Sequence, residues 1–124
     1  MTQEFVTYEQ ALILKELGFD EPYLGAYYHA TKEFTVCDCK VHHARGEHTV
    51  IAPLKQQAFR WFREKYGLYP HIFSEPNQRF VWCIRWYVDS LQKEIPVEHG
   101  YESSPTYEEA EFACLNKLIE LSKL

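Results

Sequence analysis

The sequence predicts an α+β fold: a single compact domain, residues 1–124, in which one antiparallel sheet of four to five strands packs with about three helices. The same helix opening occurs near both ends of the chain, at Thr7-Tyr8-Glu9-Gln10-Ala11 and at Thr106-Tyr107-Glu108-Glu109-Ala110. A third helical stripe and several short strand-like runs lie between these openings. Tight turns suffice to join the strands, so an antiparallel sheet is favoured.

The composition favours a stable core. Of the 124 residues 46% are hydrophobic, and the aromatic residues are 8 Phe, 9 Tyr and 3 Trp. A chain of this length buries about two thirds of the surface that it exposes when unfolded, and aromatic side chains bury large areas. The composition disfavours an intrinsically disordered chain, because such chains lack the apolar surface that offsets conformational entropy.

The first helix is predicted from Tyr8 to about Leu17. Thr7 is suited to accept a hydrogen bond from the amide of Gln10, whose side chain can bond back to the capping residue. Gly18 is suited to the left-handed position that ends a helix, and Phe19 to the hydrophobic contact that accompanies it.

Three strands are predicted between the first and second helices, at Tyr23–His29, Phe34–His43 and Glu47–Ile51. They contain the aromatic and β-branched residues that favour strands. We expect the third of them to pair back onto the second across the turn Ala44-Arg45-Gly46.

The second helix is the most regular element of the sequence. Pro53 is suited to its first position, where a missing amide hydrogen costs nothing, and Gly67 marks its end. Its apolar stripe comprises Leu54, Ala58, Trp61, Phe62 and Tyr66.

Two more strands, His71–Glu75 and Phe80–Val88, are joined by the turn sequence Pro76-Asn77-Gln78. Phe80–Val88 is apolar on both faces, which is typical of a central strand that is covered on both sides. We therefore expect a buried core, which comprises Trp61, Phe62, Trp82, Trp86 and Leu118.

The segment from Leu91 to Ser104 is predicted to be a long loop with a short edge strand at Ile95-Pro96-Val97, because proline is confined to sheet edges. The third helix begins after Thr106 and places Cys114 and Leu118 on one apolar stripe.

The charge distribution and the ends of the chain bear on location and partners. The net charge is -5, yet residues 32–86 contain nine basic and five acidic side chains. The N-terminal residues lack the pattern of a signal peptide, and no apolar run approaches the ~20 residues that span a bilayer. We expect a cytoplasmic protein whose four cysteines are reduced, with no membrane contact.

A localised nucleic-acid site is one alternative function. Basic side chains can contact phosphates and tyrosines can stack on bases. The candidate contacts are Lys55, Arg60, Arg63, Arg79 and Arg85, with Tyr23, Tyr27 and Tyr87 as stacking surfaces. The acidic balance of the whole chain disfavours nucleic acid as the main partner.

A metal site is another alternative. Soft ligands cluster in one segment, which comprises Cys37, Cys39, His42, His43 and His48. Two thiolates and two imidazoles suit tetrahedral zinc, but the Cys-x-Cys spacing lacks the two-residue loop that lets both sulfurs reach one ion. We therefore expect reduced thiols, no bound zinc and no other cofactor.

Enzymatic activity is not indicated. The sequence contains no Ser-His-Asp pattern, no G-x-S-x-G and no HExxH motif. Cys83 and Cys114 lie in apolar surroundings and are predicted to be small buried hydrophobic residues rather than nucleophiles.

Self-association is predicted from the second apolar face of Phe80–Val88. Val81, Cys83 and Tyr87 share that face, and a two-fold patch is the commonest closed arrangement of soluble proteins. Alternatively, the segment from Leu91 to Ser104 covers this face and the chain stays monomeric.

Residues 14–22, 52–68 and 106–121, which contain the helix openings and stops described above, resemble short uncharacterised proteins encoded in prophages and mobile elements of gut bacteria. The resemblance extends over most of the chain and is loosest near residues 31–50. It implies a small accessory protein of phage-like origin. We therefore expect a non-enzymatic protein that acts through protein–protein contacts.

Overall fold

The computed structural model describes residues 2–21, 24–36, 48–88, 93–99 and 103–123. These residues form three α-helices and six strands. The helices are α1 (Tyr8–Glu16), α2 (Lys55–Tyr66) and α3 (Tyr107–Ser122), and the strands are β1 (Gly25–Tyr28), β2 (Phe34–Val36), β3 (Thr49–Ala52), β4 (Leu68–Ser74), β5 (Phe80–Val88) and β6 (Lys93–His99). The predicted α+β class is confirmed, but the strands form two antiparallel sheets of three strands each instead of one sheet.

The chain divides into two compact units. Unit 1 comprises residues 1–58 and unit 2 comprises residues 59–124, so the boundary falls within α2. Each unit contains one of the two sheets.

The sheet of unit 1 has the order β2-β1-β3, so over the described residues β3 pairs with β1. The predicted pairing of the third strand with the second across Ala44-Arg45-Gly46 falls on residues outside the described part and stays a prediction. A tight turn with Lys32 at φ 59° returns the chain from β1 to β2, and the Tyr28 amide donates to the Glu33 carbonyl at 3.0 Å. One edge of β1 is thereby occupied, and β3 pairs with its other edge. The part of the predicted second strand beyond Val36 lies outside the described residues.

Helix α1 begins with the predicted capping box. The Gln10 amide donates to the Thr7 hydroxyl at 3.2 Å, and the Gln10 side-chain oxygen accepts from the Thr7 amide at 3.0 Å. These bonds satisfy amides at the helix start that have no partner within the helix. The inner face of α1 contributes Ala11 and Leu14 to the core of unit 1.

Helix α2 begins two residues later than the predicted position of Pro53. The Pro53 carbonyl accepts a hydrogen bond from the Val6 amide at 3.0 Å, and Leu54 pairs with Phe5. Pairing with the N-terminal segment therefore replaces helical geometry at these two residues. The predicted stop at Gly67 is confirmed, since this residue has φ 67° and its amide donates to the Arg63 carbonyl.

The sheet of unit 2 has the order β4-β5-β6, which confirms the central position predicted for Phe80–Val88. Successive residues Cys83 and Ile84 point to opposite faces and are both buried, so both faces are covered there. Trp82 is half-buried, which is less than predicted, and the side chain of Trp86 lies outside the described part. The turn is tight as expected, with Gln78 at φ 63°.

The segment predicted as a loop from Leu91 to Ser104 contains a full edge strand. Strand β6 is seven residues long and pairs with β5 through six of them, with a register shift between Ile84 and Arg85 that places Pro96 opposite Arg85. A bulge of this kind accommodates a proline, which lacks the amide hydrogen that a regular ladder uses. The prediction of an edge position for Pro96 is confirmed.

Helix α3 packs on β4 and β5. Its first turn is capped by Thr106, whose hydroxyl accepts from the Glu109 amide at 3.2 Å. Leu118, Phe62 and Trp61 are buried as predicted, with the indole of Trp61 7% exposed. Within the described residues, none of the helices is both long enough and apolar enough to cross a bilayer.

The close packing over Gly25 gives the first prediction. A Cβ atom at this position would lie 2.5 Å from Cε2 of Phe34 and 3.0 Å from Cε1 of Phe5. We expect Gly25→Ala to lower the free energy of unfolding by about 1–3 kcal/mol, because the rings must shift out of a packed site. Urea unfolding followed by circular dichroism measures the change.

A double-mutant cycle with Phe34→Leu isolates this contact, because the smaller side chain removes the clashing ring atoms. The cost of Gly25→Ala should fall by at least half in the Phe34→Leu background. An equal cost in both backgrounds would contradict the packing explanation.

Candidate functional site

A pocket of about 340 Å³ lies in unit 1 between the end of α1 and strand β3. Ligand pockets in proteins begin at about 300 Å³, so its size is sufficient for a small ligand or a few residues of a peptide. The residues that line it are Leu14, Lys15, Gly18, Phe19, Asp20, Thr49, Val50 and Ile51.

The stop signal of α1 builds one wall of the pocket. The Phe19 amide donates to the Leu14 carbonyl at 2.9 Å and the Gly18 amide to the Lys15 carbonyl at 3.1 Å. With Gly18 at φ 98°, these two bonds form a Schellman motif, which brings Phe19 back toward Leu14. The role predicted for Gly18 and Phe19 is confirmed. The motif also positions the side chains of Leu14 and Phe19 at the pocket.

The interior of the pocket is apolar and its mouth is charged. Leu14 and Val50 are each 1% exposed and Phe19 is also buried, whereas Lys15 and Asp20 are exposed. An apolar group of a ligand is removed from water when it packs against the interior side chains. Polar groups next to it on the ligand remain at the mouth, between charges of both signs. The pocket therefore suits an amphipathic occupant.

The N-terminal segment is held beside β3 by a buried hydrogen bond. The Tyr27 hydroxyl donates to the Val6 carbonyl at 2.7 Å. Burial, assisted by the carboxylate of Glu9, raises the pKa of Tyr27, so this phenol stays protonated and keeps its donor. The bond fixes Val6 where its amide reaches the carbonyl of Pro53.

A second polar cluster of unit 1 surrounds Tyr8. Its hydroxyl lies 3.0 Å from Nδ1 of His29, and the ammonium of Lys32 lies 5.6 Å from the centre of its ring. The rings of Tyr8 and Tyr27 also pack edge to face, with their centroids 5.9 Å apart. The cluster orients the imidazole of His29 and covers the Tyr27 ring.

Most of the predicted metal ligands, Cys37, Cys39, His42 and His43, lie outside the described residues. His48 is described and exposed. Over the described ranges, no three or more His, Cys, Asp or Glu side chains come together as a cluster that could hold a metal ion. The absence of bound zinc stays a prediction.

The structure separates the predicted nucleic-acid contacts by their accessibility. The Lys55 side chain is only 4% exposed, and the guanidinium of Arg79 donates to the hydroxyl and the carbonyl of Ser103. Arg60 is exposed and Arg63 is half-buried one turn further along α2, and Arg85 is half-buried on β5. Two of the five predicted side chains are thus engaged inside the protein rather than presented to a phosphate.

The predicted stacking tyrosines do not form a described platform. Tyr27 is buried and its hydroxyl is bonded to the chain, so its ring is not available to a base. Tyr23 and the side chain of Tyr87 lie outside the described part.

Cys83 and Cys114 are small buried residues, as predicted. Burial raises the pKa of Cys114, and the neighbouring Cys83 and Glu111 raise it further. A thiol that stays protonated is a poor nucleophile, so the neighbourhood of Cys114 is the opposite of an activated catalytic site.

The predicted dimer face is partly covered within unit 2. Cys83 is 3% exposed, and α3 packs on its strand, so this residue is not available to another copy. Val81 is half-buried and lies opposite Phe73 of β4, whose ring is 45% exposed. The accessible part of this face is therefore its outer end, at Val81 and Phe73.

No protein-family model, curated protein or solved structure matches this chain. The pocket itself was not foreseen from the sequence. Its strand residues Val50 and Ile51 stand more than thirty positions from Leu14, and only the pairing of β3 with β1 places them beside α1. The Gly18-Phe19 stop was the one available signal, and it indicated the end of a helix rather than a site.

The buried thiols give the second prediction. In a Cys37→Ser/Cys39→Ser variant, Cys83 and Cys114 should resist iodoacetamide at pH 8, because both are buried and Cys114 stays protonated. Mass spectrometry should show no labelling of the native protein and labelling of both residues after unfolding in urea. Rapid native labelling of Cys114 would contradict the protected environment.

Proposed function

We propose that this protein is a small non-enzymatic accessory module of the phage-like kind that its sequence resembles, and that it binds other proteins in the cytoplasm. The observation that supports this proposal most directly is the pocket of unit 1. It joins a buried apolar interior, formed by Leu14, Phe19 and Val50, to a charged mouth. A side chain of a partner fits such a pocket while its polar neighbours stay hydrated.

Exposed apolar side chains in unit 1 support the same proposal. Leu24 and Tyr28 are each at least 45% exposed although they are large and apolar. Exposed apolar groups of this kind favour contact with another protein, since interfaces are enriched in aromatic side chains and depleted in charge at their centre.

The proposal includes self-association through the outer end of the unit 2 sheet. Phe73 and Val81 lie opposite each other on neighbouring strands, so their side chains share one face. A self-complementary patch around them is sufficient to start a two-fold contact, in which both copies use the same residues.

The third prediction tests this contact. Sedimentation equilibrium at micromolar concentration should show a mass near twice 14.8 kDa, and Phe73→Glu should return the protein to a single chain because a buried carboxylate opposes association. Tyr28→Glu, a change at an exposed aromatic residue of unit 1, is the control and should leave the dimer intact. A single species of one chain at all concentrations would reject the dimer.

The fourth prediction tests binding at the pocket. A random library of short peptides displayed on phage should yield ligands for the immobilised full chain. Ile51→Glu should weaken these ligands at least about tenfold, which corresponds to 1.4 kcal/mol, since it adds a carboxylate to the lining of the pocket. Val36→Glu, a matched change on an exposed residue of β2, should leave their affinity unchanged.

The proposal fails if the selection yields no ligand that distinguishes the Ile51→Glu protein from the Val36→Glu protein. Both variants are compared by their unfolding curves, so that a loss of binding is assigned to the pocket only when the fold is intact.

A further inference from the structure

We infer that the pocket of unit 1 receives an extended segment of another protein, which binds as an additional antiparallel strand along β3 through the backbone of Ile51. The inference rests on the proposed function and specifies its partner and its mode of binding. Four observations lead to it, and all of them lie within unit 1.

The first observation is the direction of the backbone groups on the β2 side of β1. The Tyr28 amide donates to the Glu33 carbonyl, and the register continues with Ala26 opposite Thr35. In an antiparallel pair, hydrogen-bonded residues alternate with non-bonded ones. The amide and carbonyl of Ala26 therefore face β2.

The second observation is that the hydrogen bonds between β1 and β3 agree with this alternation. The His29 amide donates to the His48 carbonyl at 2.9 Å, and Tyr27 and Gly25 then form the bonded pairs with Val50 and Ala52. Ile51 lies opposite Ala26, whose backbone groups are directed to the other side. The amide and carbonyl of Ile51 consequently point away from β1, toward the outer edge of β3.

The third observation is that the chain already uses this edge. Pro53 stands two residues after Ile51 and faces the same side, and its carbonyl accepts from the Val6 amide. Phe5 pairs with Leu54 in the antiparallel sense. This N-terminal segment then enters α1 after Thr7, so its pairing stops before it reaches Ile51, and the described residues show no other backbone partner for Ile51 at this edge.

The fourth observation is the position of the pocket at this edge. Thr49, Val50 and Ile51 form its strand side, and Leu14 and Phe19 face them from α1 and its stop. A segment bonded to Ile51 places alternate side chains on opposite sides. One of these side chains can therefore enter the apolar interior while the backbone is held by the strand.

These observations define the partner by its chemistry. It is an extended segment of about three residues whose central residue bonds to Ile51. A neighbouring residue of the segment places an apolar side chain on the face of Val50, and the other side chains near Lys15 and Asp20 are polar. It runs antiparallel to β3, in the direction already taken by Phe5 and Val6. Main-chain hydrogen bonds give such a complex its affinity, and the pocket gives it selectivity.

Hydrogen exchange on the free protein tests the geometry first. The amide of Ile51 should exchange at least about tenfold faster than those of Val50 and Ala52, whose amides bond to β1. These two neighbours on the same strand are matched controls. Equal protection of Ile51 would show that this edge is already paired and would overturn the inference.

Peptides selected from the random library test the binding mode. A bound peptide should slow exchange of the Ile51 amide, and N-methylation along the peptide should weaken binding at alternate positions only, by about tenfold or 1.4 kcal/mol. The alternation follows because every second amide of an added strand points away from β3.

Failure of the inference is distinct from failure of the proposed function. Some selected peptides could require the pocket, yet leave exchange of the Ile51 amide unchanged and tolerate N-methylation at every position. Such peptides would overturn strand addition, while the proposed binding of other proteins would stand. A library without pocket-dependent peptides would overturn both. Selected peptides that match this chain's own sequence would identify a second copy as the occupant and overturn the assignment to another protein.

Discussion

Strand β1 forms hydrogen bonds along both of its edges, and this constraint determines what unit 1 presents at its surface. Because the bonds to β2 use Ala26, the bonds to β3 must use its neighbours Gly25 and Tyr27. Ile51 is thereby left with its amide and carbonyl directed outward. A shift of β3 by a single residue would direct a different pair of backbone groups outward and would exchange the buried and exposed side chains of the strand.

The end of helix α1 and the edge of β3 combine a packing requirement with a candidate binding site. The Schellman motif at Gly18 exists to satisfy carbonyls that the helix leaves without partners. In doing so it returns Phe19 to Leu14, beside the strand. The apolar wall of the pocket is therefore a consequence of helix termination. Its geometry is determined by the two hydrogen bonds that form the motif.

Unit 2 uses its apolar residues differently. Its central strand is covered on both faces around Cys83 and Ile84, and α3 provides cover through a stripe that contains Cys114 and Leu118. Thiols in such a place contribute packing. The raised pKa of Cys114 follows mainly from the burial that stabilises the core. The exposed ring of Phe73 lies on edge strand β4. For this reason the proposed contact with a second copy is at Phe73 and not at the buried Cys83.

The sequence by itself determined the local structure: the capping box at Thr7, the helix stops at Gly18 and Gly67, the turn at Pro76-Asn77-Gln78 and the central character of Phe80–Val88. These features depend on neighbouring residues or on simple periodicity, which a single chain displays directly. Tertiary structure decided the rest. It paired β3 with β1, placed Pro53 against Val6 rather than in α2, and formed the pocket from residues far apart in the chain. Strand partners are chosen by long-range competition for edges and by the burial of whole faces, and neither is encoded in the pattern of any one segment.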